Sequence, residues 1–465
     1  MGRPDDWVPL CKRDHINVAW VAAICLNQLT MNFIWLPTSA LMNPFCQKLG
    51  LNNIAITFIQ LIPSIIGLLV PPISAVYSDV TTLKWGRRRI YLVVGEVLVI
   101  VGLLMISFCR ELAGHKHGGS VAFFVIGNII ASAAGNAANG PGRSMCSDLV
   151  PPSQQVLVSN IVTLYGGLAG LISNLIGALK LYEHTSMSNE TLILMISCII
   201  GVVALVISVV ASPEEPLLEK PETHNPYSLI IQSFKNLTKP ILLIDLAFLF
   251  FQFGTQMYGW HCLNFFGMTI FEGDPGASDG SEPLKKYDHG VSHGQLLGVI
   301  QTVVQVFFSF VNTPIVNKMG LRMSWEVGMI CGIIAEIFFL FKITKWVFIV
   351  PYLIMGICQV IANSCPYAIV SIISDSDKLA GNITSIVLFG NFGTLISQFA
   401  FNMGLGSIGW FKENEGRIIA IPAIFVLLAM LCGWFGFSAD TKGADHEEQS
   451  SDANEDTSDD KPASL

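Results

Sequence analysis

Apolar stretches of one recurring length dominate this chain. They fall at about 16–40, 54–77, 90–109, 121–142, 155–180, 191–211, 241–268, 294–316, 324–341, 346–370, 380–404 and 417–437. A helix needs roughly 20 residues to cross the hydrocarbon core of a bilayer, so these stretches read as roughly twelve membrane spans. Composition agrees. Hydrophobic residues make up 52% of the 465 residues and charged residues 13%, about half the charge of an ordinary soluble domain. Mean hydropathy is +0.57. The expected class is an all-α membrane protein. A polar stretch at 212–238, with its PEEP and EKPETHNP runs, splits the spans into equal halves. The expected organisation is an N-terminal six-helix bundle (1–211), a cytoplasmic linker (212–238), a C-terminal six-helix bundle (239–437) and an acidic tail (438–465).

Charge sets the expected orientation. Arg3, Lys12 and Arg13 precede the first span, Lys84 and Arg87–Arg89 follow the second, and Lys318 and Arg322 follow the eighth. Basic residues concentrate in cytoplasmic loops, so both termini are expected inside. Asn189-Glu190-Thr191 is a glycosylation acceptor that this topology places outside; Asn236-Leu237-Thr238 and Asn382-Ile383-Thr384 read as chance matches. The N-terminus lacks a short apolar core before a cleavage site, so the first span is expected to serve as its own signal. The tail is rich in Asp, Glu and Ser and is expected to be disordered. The net charge of −8 does not suggest a nucleic-acid partner. The eleven cysteines show no CxxC spacing. Most sit in apolar stretches (Cys25, Cys109, Cys198, Cys331, Cys358, Cys432), where Cys behaves as a small hydrophobe. No metal or cofactor is expected.

Between the second and third spans stands Tyr77-Ser78-Asp79-Val80-Thr81-Thr82-Leu83-Lys84-Trp85-Gly86-Arg87-Arg88-Arg89. The fourth span ends Gly140-Pro141-Gly142-Arg143, then Ser147-Asp148-Leu149. After the seventh come Gly273-Asp274-Pro275, Ser281-Glu282, Tyr287 and Gly290-Val291. The first of these resembles the gate loop of the major facilitator superfamily. Together with the span-four motif, the chain resembles the plant sucrose:proton symporters of the glycoside–pentoside–hexuronide:cation group, and the loop after span seven resembles that of their animal relatives. The resemblance covers most of the chain. It implies the major facilitator fold and secondary transport of a sugar. It also shows departures. Ser132 stands where the plant proteins carry an aspartate linked to proton coupling. Asn53 stands for an outer-loop histidine, Gly267 and Thr269 for an acidic pair, and Val80 for an arginine.

Candidate site residues follow from polar groups inside the spans. Ser132, Asn136, Asn139, Gly140 and Arg143 share one face of span four. A lone guanidinium there should face the bundle interior or an aqueous cavity. It either hydrogen-bonds sugar hydroxyls or pairs with a carboxylate, of which Asp148 is nearest in sequence; a salt bridge that locks the two halves is the structural alternative. Gln28 and Asn32 on span one, then Gln252, Gln256 and Trp260 on span seven, with His261 and Asn264 close by, then Gln301, Gln305 and Asn312 on span eight form further stripes. Amides and an aromatic plate suit a sugar; helix–helix adhesion is the alternative reading of any one of them. Glu96, Asp148, Asp245 and Glu336 are the candidates to couple protons, since a carboxylate in a dry site can be pushed toward neutrality; Glu96, in the half that holds Arg143, is the favoured one. Asp79, Gly86, Arg87 and Arg88 are the candidate gate.

The leading functional expectation is a sugar:proton symporter, for sucrose or a related glycoside, working by alternating access in the plasma membrane or an endolysosomal or vacuolar membrane. Its partners would be sugar, protons and the lipid bilayer. An uncoupled facilitator or exchanger of the same fold is the second, favoured by Ser132. A transport-inactive receptor or scaffold is the third; its short cytoplasmic parts count against it. No GxxxxGK[ST] motif and no nucleophile–base constellation points to an ATPase or another enzyme.

Overall fold

A computed structural model describes residues 10–151, 154–214, 237–278, 280–374, 379–404, 410 and 414–437. Most of the expected linker (215–236), the acidic tail and Asn236 of the second acceptor sequence lie outside them. Every regular element among the described residues is helical, with no strand. The first half holds α1 (Val18–Lys48), α2 (Asn53–Asp79), α3 (Arg89–Ser107), α4 (His117–Leu149), α5 (Gln155–Ala178) and α6 (Asn189–Ala211). The second opens with α7 (Lys239–Asn264), which runs on into a π-helical turn, Phe265–Ile270. Helix then runs from Glu282 to Ile337 with one break, at Gly320 (φ 80°, ψ 157°), a backbone that a side chain would strain. The break separates α8 (282–319) from α9 (321–337). After these come α10 (Ile349–Ile373), α11 (Leu379–Ser397) and α12 (Gly416–Gly436). Among the described residues, nine helical segments are long and apolar enough to cross a membrane, and three shorter apolar helices complete the set. This is the all-α, twelve-helix, two-bundle architecture expected.

Local chemistry explains where helices begin. The side chains of Asn17, Asn52 and Ser188 accept from the amides of Ala19, Ala55 and Thr191, capping α1, α2 and α6. Three helices outrun their apolar stretches; α8 begins at Glu282, twelve residues before its stretch. α1 continues through polar Asn43 and Gln47 to Lys48, and α4 spans 117–149 with Pro141 inside it. Hydropathy marks the hydrocarbon, whereas a helix ends only where its backbone bonds lose their partners.

Each half has its own core. Val21, Cys25, Leu92, Val99, Phe124 and Cys146 belong to the first. Phe248, Phe251, Trp325, Met329, Phe339 and Tyr352 belong to the second. Cys25, Cys109, Cys198 and Cys358 are buried as small apolar groups; Cys331 and Cys432 are half-buried. Small residues let helices close in: a Cβ on Gly102 of α3 would lie 2.7 Å from the Ala131 nitrogen and the Gly127 carbonyl of α4.

The halves meet through α1 on α7, α5 on α8 and α2 on α11. Most of the polar bridges described lie at one face, opposite the arginine loop; Gln398 Nε2 on Ser64 Oγ at 3.1 Å, part-way along α2, lies apart from them. Lys48 Nζ reaches Asp288 Oδ1 at 2.6 Å and Glu190 Oε1 at 2.9 Å. Asn189 Nδ2 donates to Gln295 Oε1 at 2.9 Å, and Asn43 Nδ2 to the Trp260 carbonyl at 3.3 Å. His289 sits 3.3 Å from Glu183. Asn189 of the acceptor sequence thus lies in the seam between the halves, 2% exposed.

Candidate functional site

Two of the cavities between the halves hold residues that the sequence singles out. The first, of about 370 Å³, is enclosed by α1, α5, α7, α8 and α10. Its wall is a hydrogen-bonded amide chain. The Tyr258 hydroxyl donates to Gln301 Oε1 at 2.6 Å, Gln301 Nε2 donates to Gln359 Oε1 at 3.0 Å, and Gln305 Nε2 donates to that same oxygen. Asn32, Asn174, Gln295 and Tyr352 complete the polar lining. The second, of about 270 Å³, lies among α1, α2, α4, α7 and α11. Gln60, Ser64, Ser132 and Asn136 come from the first half; Gln256, Trp260, Asn391 and Thr394 come from the second. Thr394 Oγ1 donates to Gln256 Oε1 at 3.3 Å, and Asn136 Nδ2 to the Ser132 carbonyl at 2.9 Å. Both volumes are at or just under the small end of small-molecule sites.

The sequence candidates therefore divide. Asn32, Gln301 and Gln305 line the first cavity; Asn136, Gln256 and Trp260 line the second. Gln28 lines neither. It is buried in the first half, with Nε2 on Asn27 Oδ1 of the same helix at 2.7 Å, and faces Gly142 of α4, a helix contact. Gln252 faces Gly390 of α11, again a helix contact. Arg143 lines neither cavity. It is exposed on α4, close enough to Tyr367 of α10 to act on it electrostatically across the two halves. Residue order alone missed Tyr258, Gln60, Gln359 and Asn391. The last three are lone amides in apolar stretches, the same signal that marked Gln301.

The spacing of Arg143 and Asp148 offers one to the other. The structure pairs Asp148 instead with Arg87, at 2.6 Å, and Arg88, at 3.2 Å. The Asp148 side chain is 38% exposed, so it is a surface ion-pair partner rather than a carboxyl in a dry site. A second acid joins this cluster from the expected linker. Glu214 accepts from the backbone amides of Arg88 and Arg89 at 3.0–3.1 Å. It caps α3, where a negative charge meets the positive end of the helix. Gly86 makes room for it: φ is 110°, and a Cβ there would collide with the Glu214 carboxylate. The Asp79 backbone closes α2; its side chain lies outside what is described. No sequence signal pointed to Glu214, because its partners are 125 and 126 positions away.

Three acids lie inside the bundles. Glu96, Asp245 and Glu336 are all fully buried; Glu96 has the Thr30 hydroxyl and Asp245 the Ser385 hydroxyl beside it, whereas both Glu336 carboxyl oxygens lack a hydrogen-bond partner among the described residues. The motif after span seven is structural. Tyr287 is buried with its hydroxyl on Asn264 Oδ1 at 2.6 Å, and Gly290 packs against Gly267, where a Cβ would come within 2.7 Å of backbone.

Comparison with known proteins places this architecture. Residues 18–397 match the Major Facilitator Superfamily, and the chain belongs to that family. It is a multi-pass membrane transporter, not an enzyme. Among its relatives are the sucrose transport protein SUT1 of Oryza sativa subsp. japonica, 22% identical with 86% of this chain and 84% of the relative covered, and SUC4 of Arabidopsis thaliana, 23% identical with 81% of each covered. Similar solved folds include a D-xylose-proton symporter, TM-score 0.65 at 14% identity over 89% of this chain and 96% of the other. A bacterial homologue of the lysosomal transporter Spinster, inward-facing and unoccupied, gives 0.62 at 15% identity over 91% of this chain and 98% of the other.

Proposed function

We propose that the protein carries a sugar, sucrose or a related glycoside, together with protons by alternating access. The observation that carries this is the second cavity. Four amides drawn from both halves surround Trp260, and a sugar offers hydroxyls to amides and an apolar face to an aromatic ring. A ligand held by both halves has different contacts in each rocking state, which alternating access requires. The relatives named for sucrose transport support the substrate class. The arginine face is the cytoplasmic one, with the bridges of Lys48, Asn189 and Asn43 closing the outer side and Arg143 standing in the cytoplasmic vestibule. Residues 1–211 and 239–437 act as the two rocking bodies, joined by the linker.

The test is uptake of labelled sucrose into proteoliposomes with and without an inward proton gradient. Accumulation that needs the gradient is expected. Sucrose equilibration without proton movement would instead establish the facilitator reading, which Ser132 favours. No sucrose flux in either condition overturns the substrate.

A further inference from the structure

Glu96, Asp245 and Glu336 are equally buried, and their surroundings separate them. Glu96 has Thr30 of α1 beside it. Thr30 packs toward Gly201 of α6, while Asn32, two positions on and so on the opposite side of the helix, lines the first cavity. Glu96 therefore lies behind α1. Asp245 has Ser385 of α11 beside it, within two turns of the start of α7. Glu336 lies elsewhere. One turn before it, a Cβ on Gly332 would stand 2.8 Å from Cys358 Sγ. Nearly one turn after it, Phe339 meets Tyr258 edge-on at 5.6 Å and Tyr352 at 6.4 Å. Glu336 falls between these contacts. Among the described residues, Tyr258 of α7 and Cys358 of α10 are the titratable groups that feel its charge, and neither is basic. Tyr258 and Tyr352 form part of the wall of the first cavity. An ionised carboxylate without a partner is costly in such a place.

We propose that Glu336 is the proton-carrying carboxyl of the transport cycle, and that Tyr258 is the positioning residue that ties it to the first cavity. This rests on the sugar:proton reading above. Tyr258 has one hydroxyl hydrogen. Here it goes to Gln301, which is bonded in turn to Gln359. While it does, Glu336 has no donor and keeps its own O–H. A sugar held in the second cavity that extends a hydroxyl into the first, onto Gln305 or Gln359, and holds this chain in place therefore favours the loaded carboxyl. When the chain is disturbed, Tyr258 turns to Glu336. The carboxyl O–H then breaks, its proton passes to cavity water, and the carboxylate accepts the Tyr258 hydrogen bond. Loading is the reverse. Sugar and proton thus favour each other's binding, and the linkage is reciprocal.

The experiment compares the parent protein with Glu336→Gln and Tyr258→Phe in proteoliposomes, reading sucrose counterflow, sucrose-induced proton movement and melting temperature. Glu336→Gln should keep counterflow and lose about tenfold or more of its proton movement, within the usual range of site-to-site coupling. Tyr258→Phe should lower the ratio of protons to sugar. Proton movement at the parent ratio in Glu336→Gln overturns the proposal. So does joint loss of counterflow and proton movement at an unchanged melting temperature, which would mark a binding or structural role. If Glu336→Gln cannot be purified folded, the parent ratio in Tyr258→Phe overturns it alone. Sugar flux without protons in the parent is a different result: it removes the symport reading itself.

Discussion

Arg143 shows how much a single residue's surroundings decide. Its spacing on α4 puts it on the face of Ser132 and Asn136, yet it stands apart from both cavities, exposed, with Asp148 committed to Arg87 and Arg88. Asp148 thus forms its ion pairs with the gate loop and not with Arg143. Lysine would keep the charge and lose the planar fork of donors. Hydrogen bonds to a charged group contribute about 1.5–3 kcal/mol, so Arg143→Lys should slow transport by about tenfold or more. Its melting temperature should stay at the parent value, because an exposed side chain supports little packing. Sucrose uptake in Arg143→Ala at the parent rate would remove the residue from the transport path.

The gate loop is the element where distant segments meet. Gly86, Arg87 and Arg88 were legible from the loop itself; Asp148 was legible only as a separate motif, and Glu214 not at all. The loop keeps its shape because Gly86 adopts a left-handed backbone and Glu214 fills the space a side chain would take. Gly86→Ala should therefore destabilise the protein by about 1–3 kcal/mol, from strained backbone and from displacing the cap of α3. A thermal melt checks this. In a Glu214→Ala background the collision with the carboxylate is gone, and the added loss from Gly86→Ala should shrink. An undiminished loss in that background would mean the backbone alone resists the substitution.

At the scale of the whole molecule, the bridges between the halves set the state. Lys48, at the end of α1, holds Glu190 of its own half and Asp288 of the other, with its side chain 13% exposed. Removing one partner of a largely buried charge cluster costs about 3–5 kcal/mol. Lys48→Met should therefore weaken the outer closure and shift the population toward the outward-open form. Spin labels at His184 and Lys286 should move apart in this variant. An unchanged distance would show that the closure rests on packing instead. Sidedness has its own check. Ser278→Cys in a Cys11→Ser background should react with impermeant thiol reagents added outside, since Ser278 is exposed and Cys11 is the exposed native cysteine among the described residues. Labelling only from the cytoplasm would invert the topology.

What the chain determined by itself follows from its solvent. Hydrocarbon demands roughly 20 apolar residues per crossing, so the twelve spans, the two halves and the family could be read from hydropathy and a few loop motifs. Polar residues inside those spans were visible too, because each stands out against an apolar background. Tertiary structure alone decided which of them share a space. Gln28 and Gln252 went to helix contacts, Asn189 to the seam between halves, and the remaining amides to two cavities rather than one. Helical spacing tells which residues share a face of one helix; it carries nothing about which helix that face meets. That depends on packing between segments more than a hundred positions apart, as for Arg88 and Glu214.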